Sequence, residues 1–278
     1  MTRTLLACFA HPDDESFGAG GVLAKYAAEG TTVHLICTTH GEEGEISDPA
    51  LATRENLGLV RQAELEAAAK ILGVTELGWL GYRDSGMAGT VANDNPRAYV
   101  QAKNEDVVPR LVASMRRLKP NVIVTFDPGG AYGHPDHIAV SKHTVSAVKA
   151  AGNPTLYPDA GPPWTPDRLF FTAIRKSTFE TMRDRLKALG LDTSAFDRPD
   201  MPITGQPDDE IDVVFDVSSV LETKRRAVNA HRTQFGPDNP LAKFPKEVVD
   251  EFMRTEYFTL GWGKPLGDNP AGDLFAGL

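Results

Sequence analysis

Two short stretches concentrate the side chains that can hold a cation or move a proton: "AHPDDE" at residues 10–15 and "YGHPDH" at residues 132–137. Each contains a His-Pro-Asp triplet, and each closely follows an apolar run, "LLACF" in the first case and "NVIVTF" in the second. The carboxylates of Asp13, Asp14 and Glu15 repel one another, so a compensating positive charge is required, and a bound cation supplies one. Histidine and aspartate are Zn²⁺ ligands, and His11 with Asp14 has the short spacing of a turn that wraps a single ion. The plain alternative is a solvated turn in which Asp14 or Ser16 caps the next helix. One motif alone would not displace that alternative; two at matching places do. His134 and His137 stand three apart at the start of a predicted helix and share a face, so either completes a site with His11 and Asp14.

The elements that must carry these motifs follow from hydrophobic periodicity. Strands are expected over 4–9, 32–38, 75–80, 121–126, 168–174 and 211–217, and helices over 17–29, 53–72, 105–118, 136–151, 178–189 and 218–231. Continuous apolar strands alternating with helices predict an α/β fold: a Rossmann-like, doubly wound, mostly parallel sheet with helices on both faces. A smaller C-terminal α/β portion follows, giving a division into a core over 1–165 and a portion over 166–278 that completes the sheet and the pocket. Proline-rich loops at 152–168 and 197–209 read as a rim. Ligands of such sheets bind beyond the carboxyl ends of the strands, where both His-Pro-Asp motifs fall. Gly18, Gly20 and Gly21 do not make a nucleotide-binding turn, because the turn itself carries carboxylates that would repel phosphate. They read instead as places where helix and sheet pack closely.

With 278 residues, 41% hydrophobic and 24% charged, the chain can bury a sizeable core. Its net charge of −9 argues against a nucleic-acid or anionic-membrane partner. Cys8 and Cys37 lie in apolar runs and read as reduced core thiols. The apolar run before His11 is too short for a signal-peptide core, and no stretch reaches a membrane span, which predicts a cytoplasmic enzyme.

"AHPDDE" with "YGHPDH" resembles the LmbE-like (PIG-L) family of zinc-dependent N-deacetylases, nearest its mycothiol-pathway branch. "GEEGEI", "RQAELEAAAKILGV" and "GYRDSGMAGT" share the likeness, which is dense over residues 4–152 and thins to "AHRTQ" and "DLFAGL". The resemblance implies that His11, Asp14 and His137 bind Zn²⁺, with Fe²⁺ or another divalent ion suiting the same ligands. It implies Asp13 as general base, His134 as second catalytic group, Tyr132 on the carbonyl oxygen and Asp136 orienting His134. The implied reaction removes the N-acetyl group from a small-molecule N-acetylglucosaminyl conjugate, with inositol or malate as aglycone. A mycothiol-conjugate amidase, a deacetylase of another acyl sugar and a non-catalytic metal-binding protein are the alternatives, and homo-oligomer formation is left open.

For the substrate, the resemblance places Arg61 at the pocket, where spacing alone suggests a surface ion pair with Glu64. Asp84, Met87 and, more weakly, Glu45 are the other substrate-binding candidates. Phe17 and Gly18 depart from the residues that the mycothiol-pathway branch carries there. His143 and His231 fall in predicted helices and read as structural or surface groups.

Overall fold

Five of the six residues of β1 (Thr4–Phe9) are buried, which is why its sequence shows no polar alternation: both faces are covered. The computed structural model describes residues 3–194, 205–236, 244–267 and 272–278. The expected loop at 197–209 therefore lies mostly outside the described residues. β1 pairs in parallel with β2 (Thr32–Thr39) on one side and β4 (Val122–Phe126) on the other. β3 (Glu76–Tyr82) extends the sheet beyond β2, and β5 (Arg168–Ala173) extends it beyond β4, both parallel. β7 (Thr255–Gly263) then pairs antiparallel with β5, and β6 (Val213–Asp216) antiparallel with β7. The seven-stranded order is β3-β2-β1-β4-β5-β7-β6. Strand order reverses between β1 and β4, which makes that boundary the switch point where a crevice opens.

Two groups of helices pack beside the parallel strands. α2 (Gly20–Ala28), α3 (Leu57–Leu72) and α8 (Leu221–Ala230) contact one another, while α4 (Asn104–Leu118) packs on α6 (Pro135–Ala151). Cys8 and Cys37 are buried free thiols in this core. No helix among the described residues is long and apolar enough to cross a membrane. Arg116, 2% exposed, anchors the proline-rich loop by donating to the carbonyls of Ala151, Asn153, Leu156, Tyr157 and Gly161.

Three features differ from the periodicity reading. The single helix expected over 17–29 is two helices, α1 (Asp14–Gly18) and α2, broken at Ala19. The break has a cause at the other end of the chain: the amides of Gly21 and Val22 donate to the Glu256 carboxylate at 2.7 and 2.8 Å instead of continuing α1. That places an anion at a helix N-terminus, where the macrodipole favours it. Second, β7 was not anticipated, because Glu256 interrupts its apolar pattern; the residue is buried and paired with Lys224 at 2.6 Å. Third, α9 (Lys246–Met253) packs Val248 against Met182 and Leu186 of α7 (Lys176–Ala188), a short face too small to register as periodic.

Of the glycine run, Gly21 alone is a close-packing position; a Cβ on Gly18 or Gly20 would meet ordinary contacts at 3.4 Å or more. A Cβ on Gly21 would fall inside the Val217 side chain. Gly21→Ala should therefore lower unfolding stability by about 1–3 kcal/mol, the usual scale of overpacking, measured by urea titration of the metal-free protein. An unchanged midpoint would mean the helix shifts without strain.

Candidate metal centre and cleft

Both site loops are held by carboxylates that bind main-chain amides. Beyond β1, the amides of Ala10 and His11 donate to Asp14 Oδ2 at 3.1 and 2.7 Å. The intervening Asp13 takes a φ of 113°, a conformation that side-chain-bearing residues adopt at a cost of roughly 1–3 kcal/mol. Its amide donates to Glu15 Oε2 at 3.0 Å. Beyond β4, Asp127 accepts from the amides of Gly129 and Ala131. Ala131 has a φ of 61°, so each strand is followed by one strained non-glycine residue. Burying one Leu or Phe of β1 contributes about 1.5–3 kcal/mol, enough to offset one such turn. Gly130 (φ 66°) lies so close to His137 and Ile138 that a Cβ would collide with both. Pro135 then opens α6, with His134 at its N-cap accepting from the Asp136 amide through Nδ1 at 3.2 Å.

The two loops bring three donors together. His11 Nδ1 lies 3.1 Å from His137 Nε2 and 3.5 Å from Asp14 Oδ2, and His137 Nε2 lies 3.3 Å from Asp14 Oδ1. Zn–N and Zn–O bonds in a tetrahedral site set donor separations of roughly 3.3–3.6 Å. Two imidazoles and one carboxylate with these separations fit a small divalent ion. A ring nitrogen of His134 stands within 4.8 Å of those of His11 and His137, outside this tighter triangle.

Asp136 points elsewhere than expected. Its Oδ2 lies 3.1 Å from His11 Nε2, and the carboxylate also accepts from the amide and hydroxyl of Ser85. Its link to His134 is through the main chain alone among the described residues. The reason is helical geometry: side chains two apart project on nearly opposite sides, whereas His134 and His137, three apart, share a face. Asp136 therefore takes the proton-bearing side of the His11 ring, which leaves Nδ1 free to face Asp14 and His137.

Neighbouring carboxylates titrate in opposite directions. Burial pushes Asp13 up to about 6 against the pull of Arg61, with Asp14 adding to the rise. Burial also opposes the charge on Asp14, but His137 and His11 outweigh it and hold that carboxyl well below the usual range. For His11, burial is outweighed by Asp84, Asp136 and Asp14, which raise it well above an ordinary imidazole. Burial, helped by charge on His11 and His137, pushes His134 down to about 2. Asp84 and Asp14 pull the other way without outweighing burial, and the Asp136 carboxylate is turned to His11.

The remaining candidates separate. The Tyr132 ring stands edge-on to His137 with centroids 5.1 Å apart, and burial raises its hydroxyl pKa. Arg61 is buried and makes no surface pair with Glu64; its guanidinium donates to the carbonyls of Pro12 and Gly41 and to Asp13 Oδ2 at 3.1 Å. Asp84 is buried beside His11 Nε2 at 3.5 Å. Met87 is half-buried, and Glu45 is exposed, its carbonyl accepting from Gln234. A cavity of about 500 Å³ adjoins the cluster, with Asp13, Asp14, His137 and Tyr132 among its lining residues. Among the described residues its wall includes none of Arg61, Asp84, Met87 and Glu45. Phe17 and Gly18 line it instead, with Arg175, Thr178, Gln206, Phe235, Phe252 and Tyr257. Three residues support the site in ways the sequence did not show: Glu15, read above only as part of the acidic cluster, Ser85, and His231, read as a structural or surface group. The only advance signal was their membership of the motifs "AHPDDE", "GYRDSGMAGT" and "AHRTQ".

A doubly wound sheet with a buried His/Asp cluster at its switch point defines an α/β protein with a candidate metal centre. The chain belongs to the PIG-L family, whose model, described as GlcNAc-PI de-N-acetylase, matches residues 6–148. It is accordingly an N-deacetylase. It is 38% identical to the 1D-myo-inositol 2-acetamido-2-deoxy-alpha-D-glucopyranoside deacetylase of Geodermatophilus obscurus, over 100% of this chain and 98% of that protein. The fold matches N,N'-diacetylchitobiose deacetylase from Pyrococcus horikoshii with a TM-score of 0.62 at 20% identity, covering 93% of this chain and 83% of that one. It also matches the 4-carboxy-2-hydroxymuconate hydratase of Pseudomonas putida, TM-score 0.63 at 17% identity, over 96% and 100% of the two chains. One fold thus hosts a deacetylase and a hydratase, so the reaction is set by the site and not by the sheet.

The contacts of Arg61 make a kinetic forecast. Arg61→Ala should lower kcat by about 10²-fold, as misplacement of a reacting group does, with a smaller change in KM. A large rise in KM at unchanged kcat would return Arg61 to substrate binding.

Proposed function

We propose that this chain removes the acetyl group from an N-acetylglucosaminyl conjugate, with Zn²⁺ held by His11, Asp14 and His137. The observation that carries the reading is the triangle of His11 Nδ1, Asp14 and His137 Nε2, with edges of 3.1–3.5 Å, beside the carboxylate of Asp13. Bound there, the ion would supply an open coordination position for water and lower its pKa to about 7. Fe²⁺ suits the same donors.

Asp13 accepts the proton of the attacking water. Arg61, on Asp13 Oδ2, keeps that side chain aimed and partly offsets the effect of burial on its charge. His134 acts as a neutral imidazole: Nδ1 receives the Asp136 amide, so the ring proton sits on Nε2 and can be donated toward developing charge. Tyr132 lines the cavity and offers its hydroxyl to the carbonyl oxygen of the acetyl group. As the C–N bond breaks, Asp13 passes the proton it took from water to the departing nitrogen, and the products are acetate and a free amine.

The cavity suits an amino sugar joined to a second group, within the usual 300–1,000 Å³ of small-molecule sites. Similarity over the whole chain to a deacetylase named for an inositol glycoside favours inositol as aglycone over malate. The apolar wall of Phe17, Phe235 and Phe252 favours, as a second reading, an amide conjugate bearing an apolar substituent.

Amine release should be followed with N-acetylglucosaminyl-inositol, N-acetylglucosaminyl-malate and N-acetylglucosamine, using metal-stripped protein before and after adding Zn²⁺ or Fe²⁺. Metal-dependent release is expected, fastest from the inositol conjugate; release indifferent to metal would overturn the assignment. Two substitutions separate the roles. Asp13→Ala should keep its metal and lose about 10²–10⁴ in rate. Asp136→Asn should weaken metal binding about 10–100-fold, the scale of a lost carboxylate–histidine contact, read by competition with a chelating dye. Unchanged metal affinity in Asp136→Asn would dissociate Asp136 from His11.

A further inference from the structure

We propose that His231 is a positioning residue for Asp13, acting through Glu15. The proposal rests on the reading of Asp13 as the general base. His231 ends α8 and is completely buried, and its Nε2 lies 2.8 Å from Glu15 Oε1, 216 residues away in sequence. Its other nitrogen, Nδ1, has no hydrogen-bond partner among the described residues, so the polar engagement of the ring is through Nε2. Glu15 is 1% exposed. The oxygen facing His231 also accepts from the Ser16 hydroxyl, and the opposite oxygen, Oε2, accepts the amide of Asp13 at 3.0 Å.

That amide belongs to a residue with φ 113°, which persists only where its surroundings over-determine it. Two supports do so. Glu15 holds the main chain of Asp13, and Arg61 holds its side chain. Both supports are fastened by one short segment at the end of α8. His231 binds Glu15, and two residues on, Thr233 donates its amide and hydroxyl to Glu64 at 2.8 and 2.6 Å, one helical turn from Arg61 on α3. The segment thereby binds both Glu15 and the turn of α3 that carries Arg61.

A stabilising role alone accounts poorly for the Glu15–His231 pair. Buried ion pairs add little net stability compared with apolar residues of the same volume, but they do hold geometry. Here the geometry held is that of the strained residue whose carboxylate faces the cavity.

The test compares wild type, His231→Ala, His231→Gln, Asp13→Asn and the Asp13→Asn/His231→Ala double variant. kcat and KM are measured on the conjugate that wild type hydrolyses, and metal content is measured in each protein. His231→Ala should lower kcat about 10–100-fold, with KM and bound metal unchanged. His231→Gln, which keeps a donor for Glu15, should recover most of that loss. In the Asp13→Asn background the same substitution should cost nothing further, because its effect passes through Asp13. An additive loss in the double variant, or equal losses for Ala and Gln, would overturn the proposal.

Should His231→Ala fail to fold with Glu15 left unpaired, Glu15→Ala/His231→Ala strands no charge and carries the same test. Normal turnover by that variant also overturns the proposal. A wild type that releases no amine would remove the functional reading as well. That result is distinct from an active wild type with an unimpaired His231→Ala, which removes the positioning role alone.

Discussion

The arrangement turns on one carboxylate. Asp14 uses Oδ2 to hold the amides of Ala10 and His11, and the same group faces both His11 and His137. It is at once the brace of the loop after β1 and the negative charge that makes two buried imidazoles tolerable side by side. Remove it and both functions go together, since an isolated buried charge is far costlier than a paired one. The strand order brings the second histidine within reach: β1 and β4 are neighbours, so their two loops meet at one edge of the sheet. The reversal of winding direction there opens the crevice.

Around this centre the polar groups form successive layers. His11 and His137 face Asp14; Asp136 faces the far nitrogen of His11; Ser85 holds Asp136. On the other side Asp13 is held by Arg61 and Glu15, and Glu15 by His231. Most of these side chains are buried, so their hydrogen bonds form in a low-dielectric interior where an unpaired partner would be expensive. Such connected networks restrict the alternatives open to each member, which an active site built on two loops requires.

The sheet and both His-Pro-Asp motifs were legible because each depends on local pattern. Apolar strands such as "NVIVTF" announce burial on both faces, and a three-residue spacing announces a shared helical face whatever surrounds it. What local pattern could not convey was partnership. Arg61 and Glu64 look like an i,i+3 surface pair, yet Glu64 is taken by Thr233, 169 residues away, and Arg61 turns to Asp13. Asp136 follows His134 closely in sequence, but the helix directs it to His11. The likeness to the PIG-L family offered candidate catalytic residues by motif, whereas the cavity wall from β5, β7 and α9 lies where that likeness thins. Strand β7 hid itself for a related reason: Glu256 reads as solvent-facing until its partners Gly21, Val22 and Lys224 are known.

That last strand has a bearing on how the chain matures. Synthesis runs from the N-terminus, so α2 emerges long before Glu256 does. Until then the start of α2 keeps two amides without their carboxylate, and β5 stands as an open edge of parallel sheet. Arrival of β7 closes the edge and caps the helix in the same step. An N-terminal nascent chain thus carries the residues of the chemistry without the strand that secures them, and order at the site is conferred late, by the part of the sequence farthest from it.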